Sequence, residues 1–168
     1  AYEQAIAEAI TQLVARGYQV VFFAQSDTPT WGENDAVPAR RIIERLRPDV
    51  RAAVPSIFTV PRDPTLMLAF YGQFHLVIAT RLHATILSLA AGTPVVPIAY
   101  TSKNWGFIAG TDLAPITLDI ETVDADAIVN AVRCVLNEYA CWQQRIAALI
   151  EQKRAQADVV SLLRSLDC

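Results

Sequence analysis

HLVIATRLHATILSLAAGTPVVPIAY, residues 75–100, decides the fold. HLVIA (75–79) is short and apolar almost throughout, the pattern of a strand covered on both faces. A helix rich in small residues follows over 81–91, and Gly92 closes it. TPVVPIA (93–99) then reads as another buried strand. Strand, helix and strand in direct succession predict two parallel strands joined by a crossover helix.

Outward from this unit the alternation continues. Apolar positions in residues 2–15 recur at helical spacing, and Gly17 is a C-terminal stop. YQVVFFA (18–24) is a buried strand, QSDTPTWGEN (25–34) a polar loop, and 35–46 a helix. Residues 56–60 are a short strand candidate. Asp63 and Pro64 read as the N-cap and first residue of a helix reaching about residue 72. After a loop, APITLDI (114–120) is a fourth strand, and helices over 124–138 and 140–165 complete the chain. The pattern predicts a single α/β domain over 1–168 with a doubly wound parallel sheet. Such half-domains normally open on a strand, whereas this chain opens on a helix, so the C-terminal part of a longer protein is expected.

Composition narrows the function classes. With 168 residues, 53% hydrophobic and 18% charged, the chain can fill one core. A formal charge of −3 offers no basic field for nucleic acid or an anionic membrane. No apolar run reaches the roughly 20 residues of a membrane span, and the N-terminus does not read as a signal peptide. Cys134, Cys141 and Cys168 lack C-x-x-C spacing, which suggests a reducing compartment and neither a disulfide framework nor a zinc site. A cytoplasmic protein is expected, with a peripheral place on the inner membrane face as a second option.

In a parallel sheet, ligands bind beyond the carboxyl ends of the strands. Thr80 is placed to cap the 81–91 helix, with Arg81 at N1 and His83 at N3. Free backbone N–H groups, the positive end of the helix dipole and a guanidinium then converge on an anion site. The plainer alternative pairs Arg81 with a local carboxylate and makes His83 a satisfied, semi-buried side chain. The strand 93–99 ends in Tyr100, Thr101, Ser102, Lys103 and Asn104, bringing a second cation to the same edge. Lys103 alone reads as a solvated lysine; beside Arg81 it makes a clamp for a ligand with two anionic groups. The 25–34 loop is long for its position and carries Gln25, Ser26, Asp27 and Trp31. Trp31 either stacks on a sugar ring or pins the loop. Trp105 and Phe107 are expected to pack under the 100–106 loop. His75 begins its strand at the opposite end and reads as structural, and the Ile/Leu/Ala stripe of 142–163 reads as core packing.

The central residues resemble the polysaccharide pyruvyl transferase family. They are Arg81-Leu82-His83-Ala84 after a strand, Gly92-Thr93-Pro94 closing a helix, Tyr100 ending the next strand, then Lys103 and Gly106-Phe107. Asp35, opening a helix after the first strand loop, also resembles a recurrent family feature. The resemblance implies a fold like the GT-B glycosyltransferases, two facing Rossmann-like domains with the site between them. This chain would be the C-terminal domain, and an N-terminal domain would hold the acceptor. It implies transfer of the enolpyruvyl carbons of phosphoenolpyruvate onto sugar hydroxyls as a pyruvate ketal, with no cofactor and no metal. Phosphoenolpyruvate and a saccharide are the implied partners, without nucleic acid or a transmembrane segment. Arg81, Lys103 and the start of the 80–83 helix would grip the donor, with Thr80, Tyr100, Ser102, Asn104 and Asp35 around it. His83 would deliver the proton to the methylene carbon. Two other readings compete. One is the donor domain of a nucleotide-sugar glycosyltransferase, weakened because the first acidic residue after the 81–92 helix is Asp112. The other is a non-catalytic binding module that keeps the fold.

Overall fold

YEQAIAEAITQLVA forms α1 (Tyr2–Ala15) because Ala5, Ile6, Ala9, Ile10 and Leu13 recur at helical spacing and are all buried. Gly17, at φ 86°, ends it: the Gly17 N–H reaches the Val14 carbonyl and the Tyr18 N–H the Leu13 carbonyl. The computed structural model describes residues 1–28, 33–54 and 57–156. Trp31, Ser56, Cys168 and the stripe beyond 156 lie outside the described residues.

The strand expected over 18–24 shortens to β1 (Phe23–Ala24), paired in parallel with β4 (Phe58–Thr59). A strand extends only as far as its partner. β4 offers two residues, and two further bonds, Phe58 N–H to Phe22 O and Val60 N–H to Ala24 O, close the ladder. Within the loop after β1, β2 (Asp27–Thr28) pairs antiparallel with β3 (Glu33–Asn34). α2 (Ala36–Arg45) follows as expected. α3 (Pro48–Ala53) is an addition, started by Pro48 with Asp49 in the first turn. α4 (Pro64–Tyr71) begins where the sequence indicates: the Asp63 carboxylate accepts the N–H groups of Thr65 and Leu66.

The central sheet is β5 (Val77–Ala79), β6 (Val95–Ala99) and β7 (Leu118–Asp119), all parallel, with β6 in the middle. Val77 is level with Val95, Ala79 with Pro97, and Ile98 with Leu118. Every residue of β6 is buried, since α5 (Leu82–Ala90) and α7 (Ala125–Asn137) both pack against it. Gly92, at φ 76°, closes α5: its N–H meets the Leu89 carbonyl and the Thr93 N–H the Ser88 carbonyl. The fold is thus α/β with parallel strands. Among the described residues these fall into two small sheets rather than one continuous one.

Three expectations are corrected at the C-terminal side of β6. The segment read as a loop contains α6 (Ser102–Ile108), and Trp105 on it is 41% exposed rather than packed beneath. Phe107 does pack against the core, with the Lys153 ammonium over its ring. The fourth strand is shorter than 114–120, because Ala114–Ile116 form a 3-10 turn before β7. α8 (Tyr139–Gln156) buries Trp142, Ile146 and Leu149, as the apolar stripe implied.

Candidate functional site

Because β5 and β6 are parallel and in register, the segments leaving them emerge at one edge of the sheet. Thr80 and Arg81 follow β5; Tyr100 to Asn104 follow β6. A buried amide fastens the two segments together. Asn104, 2% exposed, donates through Nδ2 to the Thr80 carbonyl at 3.4 Å. Its Oδ1 accepts the Thr101 hydroxyl at 2.6 Å, while Thr101 caps α6 by accepting the Asn104 N–H.

Thr80 does not cap α5. Its Oγ1 is 2.7 Å from the Tyr2 hydroxyl, and the chain enters the helix one residue later. Arg81 is the N-cap, extended at φ −78° and ψ 136°, and its carbonyl accepts the Thr85 N–H. Leu82 is therefore N1 and His83 N2, one position earlier than expected. The Arg81 side chain turns to Asp35 instead of to the helix, so no side chain caps α5. The first-turn N–H groups of Leu82, His83 and Ala84 have no partner within the helix.

The Arg81–Asp35 pair is the strongest polar contact at this edge. Nε lies 2.8 Å from both carboxylate oxygens and Nη2 2.7 Å from Oδ1, with the side chains 27% and 23% exposed. Asp35 Oδ2 also accepts the Ser26 N–H at 2.9 Å, and the Asp35 N–H donates to the Ser26 carbonyl. One carboxylate thus fastens the base of the 26–35 loop to the residue that opens α5. Of the two sequence alternatives for Arg81, pairing with a carboxylate is what the structure contains, with the partner 46 residues away. Ala36 N–H is satisfied by Asn34 Oδ1, which leaves Asp35 available for Arg81.

Beneath this pair lie two tyrosines that the sequence analysis did not single out. Tyr71 is fully buried and donates its hydroxyl to Gln25, at the end of β1. Burial, and then the Asp35 charge, push its phenol well above the usual tyrosine range. Tyr2 is also pushed up by burial, partly offset by its bond to Thr80, with the charges of Glu3 and Asp35 adding to the rise. A tyrosine inside an otherwise apolar helical run, as in LMLAFY, was the available signal for such a buried hydroxyl.

The remaining candidates face solvent. His83, Lys103, Ser102 and Tyr100 are all exposed, and among the described residues no hydrogen bond or ion pair holds His83 or Lys103. His83 is thus not the semi-buried side chain of the plainer alternative. The edge brings together Tyr2, Gln25, Ser26, Asp35, Tyr71, Thr80, Arg81, Thr101 and Asn104. His75 is exposed at the far end of β5, its ring 6.3 Å from that of Tyr139. Among the described residues no three His, Cys, Asp or Glu side chains are grouped to hold a metal ion, and no helix is long and apolar enough to cross a membrane. Cys134 and Cys141 are free and exposed.

Residues 1–102 match the family described as polysaccharide pyruvyl transferase. The amylovoran biosynthesis protein AmsJ of Erwinia amylovora is 29% identical over 154 residues, which is 91% of this chain. Those residues are 36% of that relative, so the chain spans about a third of its length. No solved structure matches.

Proposed function

Since the chain belongs to the polysaccharide pyruvyl transferase family, we propose that this edge binds phosphoenolpyruvate and serves its transfer to a saccharide. The observation that carries the reading is the uncapped first turn of α5, flanked by Arg81 and by exposed His83, with Lys103 on the segment fastened alongside by Asn104. Phosphoenolpyruvate presents a carboxylate and a phosphate on a three-carbon enol. Backbone N–H groups at a helix start suit one oxyanion, and the two cations suit the pair.

In the proposed reaction a proton goes to the methylene carbon and two sugar hydroxyls attack the neighbouring carbon in turn. The C=C π pair forms the new C–H bond, two C–O bonds to the sugar form, and the C–O bond to phosphate breaks with its electron pair leaving on phosphate. Of the two hydroxyl protons, one offsets the proton added to carbon and the other leaves with phosphate. His83 is the proton donor in this scheme, because an imidazole gives and takes protons near neutral pH. Tyr100, Ser102 and Thr80 border the donor, and no cofactor is used. The remainder of a longer protein, in a second Rossmann-like domain facing this one as in the GT-B arrangement, would supply the acceptor site. The parallel α/β architecture and the 36% coverage of the relative support that arrangement. The name of that relative, in amylovoran biosynthesis, supports a polysaccharide product. A cytoplasmic location fits the donor and the free cysteines.

Calorimetric titration of the chain with phosphoenolpyruvate, and separately with UDP, tests the donor. Saturable binding of phosphoenolpyruvate is expected, weakened about tenfold or more in Lys103→Ala by loss of a charge-assisted contact. Binding of UDP with none of phosphoenolpyruvate would transfer the site to nucleotide-sugar chemistry.

A further inference from the structure

We infer that Asp35 is a positioning residue for the donor, acting through Arg81 rather than touching the substrate itself. The inference rests on the donor reading above. Asp35 meets Arg81 side-on, through Nε and Nη2. A guanidinium is planar with five N–H donors in a fixed fork, so a side-on pair sets its plane and turns the Nη1–Nη2 edge away from the carboxylate. The other contacts of Asp35 keep it from following Arg81 into solvent: Oδ2 takes the Ser26 N–H, and the backbone of Asp35 is bonded back to Ser26. Asp35 thereby joins the loop leaving β1 to the start of α5.

Charge alone argues against any direct role. A carboxylate repels a ligand bearing a carboxylate and a phosphate, so an Asp35 that acted only through its field would weaken every anion alike. A positioning Asp35 does the reverse for a ligand of defined shape. It sacrifices some attraction for the correct orientation of the fork, as bidentate recognition requires.

Two ligands separate orientation from charge: phosphoenolpyruvate, whose two anionic groups require a set geometry, and inorganic phosphate, which does not. Asp35→Asn keeps the side-chain shape and an acceptor for the Ser26 N–H, but removes the charge and one of the oxygens that hold the fork. The expected result, by titration calorimetry on the chain, is phosphoenolpyruvate binding weakened about tenfold or more, with inorganic phosphate unchanged or tighter. Arg81→Lys is the companion variant. It keeps the charge and loses the fork, so the same split is expected, and it serves alone if thermal melting shows Asp35→Asn unfolded. Phosphoenolpyruvate binding as tight as, or tighter than, wild type in Asp35→Asn would overturn the inference while leaving the donor reading intact. Absence of phosphoenolpyruvate binding by the wild-type chain would overturn the donor reading, and this inference with it.

Discussion

Removing both members of the Arg81–Asp35 pair should cost less stability than the sum of removing each. The contacts are 2.7–2.8 Å, and the side chains keep 27% and 23% of their surface exposed. An exposed ion pair contributes roughly 0–1 kcal/mol, and breaking a fully buried one costs roughly 3–5 kcal/mol. A pair about three-quarters covered falls between these limits, and we expect a coupling of about 1.5–2 kcal/mol. The single variants should be unequal. Arg81→Ala leaves the Ser26–Asp35 bonds in place, whereas Asp35→Ala also removes the acceptor for the Ser26 N–H, a further loss of about 0.5–1.5 kcal/mol. For a chain of this length, a change of about 2 kcal/mol lowers Tm by about 4–8 °C. Urea unfolding of the wild type, Arg81→Ala, Asp35→Ala and the double variant closes the cycle, with the m-values checked for constancy. Additivity within about 0.5 kcal/mol would refute the reasoning, because independent residues behave in that way.

Other measurements probe the same architecture. Gly92→Ala should lower stability by about 1–2 kcal/mol, since the added Cβ meets no atom within 4 Å and the cost is the left-handed backbone alone; a Tm equal to wild type would contradict the cap. Tyr71 holds its proton above the usual tyrosine range when folded, so the unfolded chain loses protons first as pH rises past about 10, and stability should fall there. Tyr71→Phe should flatten that alkaline decline in pH-dependent unfolding, and an unchanged slope would assign it to other groups. On the proposed donor reading, and in a protein that carries the acceptor site as well, His83→Gln should lower kcat by roughly 10²–10⁴ with a much smaller change in the KM for phosphoenolpyruvate; near-normal turnover would make His83 an orienting group.

What was legible in the sequence was what local chemistry determines. Asp63-Pro64 marked the start of α4 because a carboxylate cap and a proline at N1 are strong signals within a few residues. Gly17 and Gly92 marked helix ends for the same reason. The core of the central sheet followed from HLVIA and TPVVPIA, whose apolar runs need cover on both faces. The length of β1 was not legible, because it is set by the two residues that β4 offers in return. α6 was hidden by polar residues and Gly106, although Thr101 was the cap that could have revealed it. The placement of Arg81 at the N-cap depends on Tyr2 taking the Thr80 hydroxyl and on Asp35 taking the guanidinium. Those partners are 78 and 46 residues away, and no local pattern brings them together.

The closure of the 26–35 loop at its base has a consequence for how such a protein diversifies. Ser26 and Asp35 hold each other through two bonds, so the chain leaves β1 and enters α2 at fixed points whatever lies between. Lengthening a loop between fixed ends costs little, with each doubling adding only about 0.6 kcal/mol of closure entropy. The segment is therefore a replaceable cassette. Its length and side chains can change while Asp35 keeps its bonds to Ser26 and Arg81. Variation in the loop is thereby separated from the contacts that fix the Arg81 guanidinium.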